Sequence, residues 1–132
     1  MMEKMSKNTN AINWFEIPAA DIVRAKKFYE AIFEIEMHEM EMGGMKMAGF
    51  PGDGSNAKVG GALVQSNMHK VSTEGGTILY LNGNPDLQIV LDRITTAGGT
   101  VVMPKTLITE QIGYMAFFVD SEGNTIALHS GS

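Results

Sequence analysis

Three histidines, His38, His69 and His129, are the only imidazoles in the chain, and there is no cysteine. The missing thiols exclude disulfides, thiolate zinc sites and a cysteine nucleophile, and leave the redox compartment undetermined. Serines occur, but no G-x-S-x-G elbow does, so a serine hydrolase triad is not expected. Gly-Gly pairs stand at 43–44, 60–61, 75–76 and 98–99, none of them followed by the Lys-Ser/Thr of a phosphate-cradling loop. Met37, Met40, Met42, Met45 and Met47 alternate with His38, Glu39, Glu41 and Lys46. Thioethers favour Cu(I), but alternation of Met with charge is the pattern of a hairpin with one packed and one wet face. Packing, or an adaptable pocket lining, is therefore preferred to copper. His38 and His69 read as surface residues of that strand and of a polar loop.

The elements that must position these groups follow from periodicity. Ala11 to Ile17 is an apolar strand candidate carrying Trp14 and Phe15. Asp21 is placed to cap a helix, in which Ile22, Ala25, Tyr29, Ile32 and Phe33 form one apolar stripe. A hairpin turning at Gly43-Gly44 follows, then a loop over 51–56. A strand over Lys58 to Ser66 has Gly60-Gly61 as a bulge or close backbone approach. The pattern restarts with a strand over Thr77 to Asn82 and a helix begun by Asn84-Pro85-Asp86 and ended by Gly98-Gly99. Strands over Thr100 to Lys105, Ile112 to Val119 and Thr125 to Ser130 complete it. Asp21 and Asp86 lie 65 residues apart in a chain of 132, half its length, so each half spells βαβββ. The expected fold is α+β: two βαβββ units, about 11–66 and 76–130, forming one curved mixed sheet with both helices on the convex side. Residues 1–10 read as a frayed leader without the apolar stretch of a signal peptide.

Charge and composition narrow the partners. Net charge is −5 with 44% hydrophobic and 19% charged residues, which excludes a disordered chain and a basic nucleic-acid binder. No apolar run is long enough to span a membrane. A cytoplasmic location is the default expectation.

The segments Asn13-Trp14-Phe15-Glu16-Ile17-Pro18, Asp21 and Arg24-Ala25-Lys26-Lys27-Phe28-Tyr29 resemble the first-unit signature of the vicinal oxygen chelate superfamily. That group includes lactoylglutathione lyase, bleomycin-resistance proteins and extradiol dioxygenases. Ala116 to Asn124 resembles its closing strand and D-x-x-G-N turn, and Thr77 to Asn82 and Ala97 to Val102 fit between. The resemblance covers about residues 11–130. It implies the paired βαβββ fold, a concave pocket and frequent homodimers, but no particular reaction.

Metal-using members hold one divalent ion with His and Glu residues that project from strands into the cavity. The first-strand His, seven residues before the capping Asp, is here Trp14. The same offset from Asp86 gives Leu79, or Thr77 with a two-residue shift. The Glu three residues after the Gly-Asn turn is Ala127, and Gly60 to Val64 supplies no carboxylate. Indole, isobutyl and methyl groups coordinate no hard cation, so neither metal nor any other cofactor is expected. Glu16 and His129 share a face with Trp14 and Ala127 by period-two alternation, which makes them the acid/base candidates. The resulting expectation is a metal-free binding protein for a small apolar or aromatic molecule, lined by Trp14, Leu79 and Ala127, and homodimeric. The alternative is a lyase, isomerase or dioxygenase with relocated metal ligands or a metal-free acid/base site.

Overall fold

The computed structural model describes residues 4–52 and 58–132; of the loop expected over 51–56, residues 53–56 lie outside the described residues. The chain order is β1 (Trp14–Pro18), α1 (Ile22–Phe33), β2 (His38–Met42), β3 (Met45–Gly49), β4 (Gly60–Gln65), β5 (Tyr80–Asn82), α2 (Leu87–Ala97), β6 (Thr100–Thr109), β7 (Gly113–Val119) and β8 (Thr125–Ser130). Both helices start where the aspartates require. Asp21 is extended, and its carboxylate accepts from the N–H groups of Val23 and Arg24; Asp86 does the same for Gln88. The stripe of α1 buries Ile22, Ala25, Tyr29 and Ile32, together with Phe28, while α2 buries Leu87, Val90, Leu91 and Ile94. Gly43 and Gly44 have φ of +57° and +81°, the pair of left-handed residues that a two-residue hairpin turn demands.

Each unit forms a four-stranded sheet, ordered β1-β4-β3-β2 and β5-β8-β7-β6. The first and last strands of a unit, β1 with β4 and β5 with β8, pair in parallel, and the other neighbours are antiparallel. The expected single curved sheet is thus two hydrogen-bonded halves, whose helix-facing sides share one core. Ile17, Ala48 and Leu63 from the first sheet join Leu81, Ala116, Phe118, Ile126 and Leu128 from the second around both helices. The other face of each sheet is not covered by a helix. Strand β6 runs four residues beyond the expected Lys105, with Pro104 inside it and register shifts around Met103 and Thr106. Pro is tolerated there because β6 is an edge strand.

The D-x-x-G-N turn locks the two units together. Asp120 Oδ1 accepts from the backbone N–H groups of Glu122 and Asn124, while Oδ2 accepts from the Tyr29 hydroxyl of α1 at 2.7 Å and from Asn124 Nδ2. Asn124 Nδ2 also reaches the Pro18 carbonyl at 2.7 Å. Glu122 accepts a forked pair of bonds from Arg24 and one from the Asp21 N–H. Burial pushes the Tyr29 hydroxyl far above its ordinary value, and the charge of Asp120 adds to the effect. Burial also pushes Glu122 upward, but its bonds from Arg24, Asp21 and Ser121 outweigh this and hold the carboxyl below the usual range.

Candidate functional site

The uncovered face of the first sheet is set by parity. Phe15 and Ile17 turn to the core, so Trp14 and Glu16 turn away from it. The Trp14 indole lies on Gly60, its neighbour on β4, where an added methyl would already touch the ring at 3.4 Å. Trp14 keeps 48% of its surface exposed. In the cross-strand register Met40 faces Met47 and Met42 faces Met45, so four thioethers share this outer side. Met47 packs there with Ala62 and Val64, and Met45 leans on them, while Met40 and Met42 stay exposed. The alternation of Met with charge thus produces a half-packed thioether wall on the same face as Trp14, towards the opposite end of β4 from Gly60.

On the second sheet the row Tyr80, Ala127, Phe117, Met103 runs straight across the strands. The Tyr80 and Phe117 rings flank Ala127 and meet edge-on at 6.0 Å. Ala127 is fully buried. A bound molecule at this place would meet two rings rather than the methyl group. Trp14 and Ala127, expected side by side, lie on the uncovered faces of different sheets.

The expectation for Leu79 needs correction. Leu79 packs against the core instead of lining an open face. Ile17 and Leu81 are the matching positions, each opposite a core leucine, Leu63 or Leu128. Three residues separate Ile17 from Asp21, but four separate Leu81 from Asp86, so counting back from the cap lands on the wrong face. A shift of two residues to Thr77 keeps the same wrong parity. The residue matching Trp14 is Ile78, which is 37% exposed.

The outward positions Trp14, Ala62, Ile78 and Ala127 therefore offer two methyls, a branched alkyl group and an indole. They do not fit a divalent ion. Elsewhere among the described residues, no three His, Asp or Glu side chains converge in a way that could hold one. His129 has its Nε2 bonded to the Ile112 carbonyl at 2.6 Å, so that nitrogen carries its proton and the ring ties β8 to the β6–β7 turn.

Glu16 has two partners. Its Oε2 accepts from the Trp14 indole N–H at 3.1 Å, and its Oε1 lies 2.7 Å from His69 Nε2. The bond from His69 is the main reason its carboxyl sits below the ordinary value, against a smaller upward push from burial. The other ring nitrogen of His69 lies 2.6 Å from Ser66 Oγ. The His69 side chain retains only 14% exposure, so the expected surface loop residue is largely covered. Sequence reasoning did not find this cluster because Glu16 and His69 lie 53 positions apart. Only the Ser66-x-x-His69 spacing, directly after a strand, is local.

A family model for the Glyoxalase/Bleomycin resistance protein/Dioxygenase superfamily matches residues 11–128. A "Glyoxylase-like domain-containing protein" of Didymella fabae is 30% identical over 120 residues, covering 89% of this chain and 91% of the relative. Among solved structures, a glyoxalase I mutant from Zea mays superposes with a TM-score of 0.68 at 16% identity over 90% of this chain, which spans 45% of the maize chain. A glyoxalase/bleomycin resistance protein from Albidiferax ferrireducens gives a TM-score of 0.64 at 17% identity, covering 92% of this chain and 98% of the other. With the paired βαβββ units and the D-x-x-G-N lock in place, the chain belongs to the glyoxalase/bleomycin resistance protein/dioxygenase superfamily.

Proposed function

We propose that this chain is a metal-free small-molecule binding protein of its superfamily, which takes an apolar or aromatic ligand on the uncovered sheet faces. The observation that carries this reading is the set of residues at Trp14, Ala62, Ile78 and Ala127, where donors give way to hydrocarbon and indole. The half-exposed Trp14 ring, the thioether wall from Met40 to Met47 and the Tyr80–Phe117 pair supply broad, polarisable apolar surface. Such surface suits loose selectivity, because Met side chains repack around differently shaped ligands. No described helix is long and apolar enough to cross a membrane, and a cytoplasmic homodimer is part of the proposal. Two uncovered faces and free strand edges favour pairing of copies.

Native mass spectrometry with metal analysis on freshly purified protein tests this directly. The expected result is a dimer of the 14.3 kDa chain without stoichiometric Zn, Ni, Mn or Fe. One tightly held ion per chain after dialysis would overturn the metal-free reading. The single tryptophan reports binding: saturable quenching or shift by an apolar aromatic ligand supports the proposal. Emission indifferent to a broad library of such ligands refutes it.

A further inference from the structure

A second place in the molecule has the makings of chemistry. Ser66, Asn67, His69 and Lys70 follow β4 and border a cleft of about 460 Å³ that also reaches Ala19 and Ala20 of the β1–α1 turn and Lys46 of the hairpin. Among the described residues none that lines this cleft is acidic, although the chain as a whole carries a net charge of −5. Lys46 and Lys70 form no ion pair among the described residues.

The proton arrangement at the cleft follows from donor and acceptor chemistry. A carboxylate only accepts, so the 2.7 Å contact with Glu16 Oε1 places a proton on His69 Nε2. In the neutral ring, Nδ1 then holds a lone pair, and at 2.6 Å it receives the Ser66 hydroxyl proton. The Met68 N–H donates to the same Ser66 oxygen at 3.1 Å and fixes its position. A hydroxyl donating to an imidazole that is itself oriented by a carboxylate is the arrangement that activates an oxygen nucleophile.

We propose that this cleft is an acyl-transfer site for small esters bearing an anionic group, with Ser66 as nucleophile and His69 as general base. Ser66 Oγ attacks the ester carbonyl carbon, and a new C–O bond forms. Its proton passes to His69 Nδ1, which returns it to the departing alkoxide as the old C–O bond breaks. Water, deprotonated in turn by His69, then cleaves the acyl-serine and restores the hydroxyl, so that ester and water become acid and alcohol. Glu16 is a positioning residue: it holds the His69 tautomer and stabilises the imidazolium that forms. Lys46 and Lys70 select the anionic tail. Glu16, bonded to both His69 and Trp14, joins this site to the apolar face of the first sheet.

The test is labelling with a fluorophosphonate, read by peptide mass spectrometry, alongside hydrolysis of the 4-nitrophenyl monoester of succinic acid and of 4-nitrophenyl acetate. Ser66 is the expected labelled residue. Ser66→Ala and His69→Ala should lose labelling and reduce kcat/KM by about 100-fold or more. Glu16→Gln should move the pH profile rather than KM. The double variant Lys46→Ala, Lys70→Ala should raise KM about tenfold for the succinate ester and leave the acetate unchanged. Ser66→Cys guards against a folding defect, because its alkylation by iodoacetamide should be fast and should slow at least tenfold when His69→Ala is added. An unlabelled Ser66, or hydrolysis unaffected by Ser66→Ala, overturns the proposal. Equal loss on both esters in the lysine variant overturns the assignment of the anionic tail.

Discussion

Trp14→Ala separates a ligand wall from a structural plug. A fully buried Trp replaced by Ala costs about 3–5 kcal/mol. Trp14 is 48% exposed, so about half of that applies, near 2 kcal/mol, including its contact with Gly60 and its exposed hydrogen bond to Glu16. The exposed half of the ring presents roughly 100 Å² to a ligand, taking about 200 Å² for a Trp side chain. At about 25 cal/mol per Å², covering it contributes up to about 2.5 kcal/mol, or about 60-fold in Kd. Urea unfolding followed by far-UV circular dichroism gives the first number without needing the lost fluorophore. Isothermal titration with a ligand found through wild-type emission gives the second. A stability loss of 4–5 kcal/mol with unchanged affinity would refute the reasoning and make the ring a plug, covered by a second copy in the assembled protein.

Tyr29→Phe removes a charge-assisted bond to Asp120 from a fully buried site, and urea midpoints should fall by about 1.5–3 kcal/mol; a loss below about 0.5 would mean that the lock between units does not depend on it. Gly61→Ala would drive a methyl into the Phe15 ring, which packs on Phe50 at 5.4 Å, so it should cost about 1–3 kcal/mol and alter the near-ultraviolet dichroism. Gly75→Ala, with open space at its Cβ, should stay within about 0.5 kcal/mol as a control. Glu16, Glu30 and Glu122 all have carboxyl groups held below the unfolded value of 4.5. The stability they add is therefore present above that value and lost as pH falls through the lower folded values. Urea midpoints taken from pH 7 to pH 3 should be flat and then drop, and Glu122→Gln should shrink the drop.

What was legible in the sequence is what is local. The capping aspartates, the stripe of α1 and the Gly43-Gly44 turn each depend on a few neighbouring residues, and each is present. The repeat was legible because both units spell it independently. The failure at Leu79 has a simple cause: a period-two argument is only as good as its count, and one extra residue before Asp86 turns every side chain of β5 to the opposite face. The division into two sheets is a tertiary outcome that no strand pattern encodes, since a strand edge looks the same whether or not another strand meets it. Glu16 stood among the acid/base candidates, but its grouping with Ser66 and His69 was invisible for a different reason. The parallel pairing of β1 with β4 carries residue 16 alongside residue 62, and only that crossover brings the turn after β4 back over the first strand. The same crossover is what any βαβββ unit must make, so the end of β4 always returns beside β1. Whether that return becomes a site then depends on three side chains, a carboxylate facing outward on β1 and a hydroxyl and an imidazole in the turn, and this chain has all three.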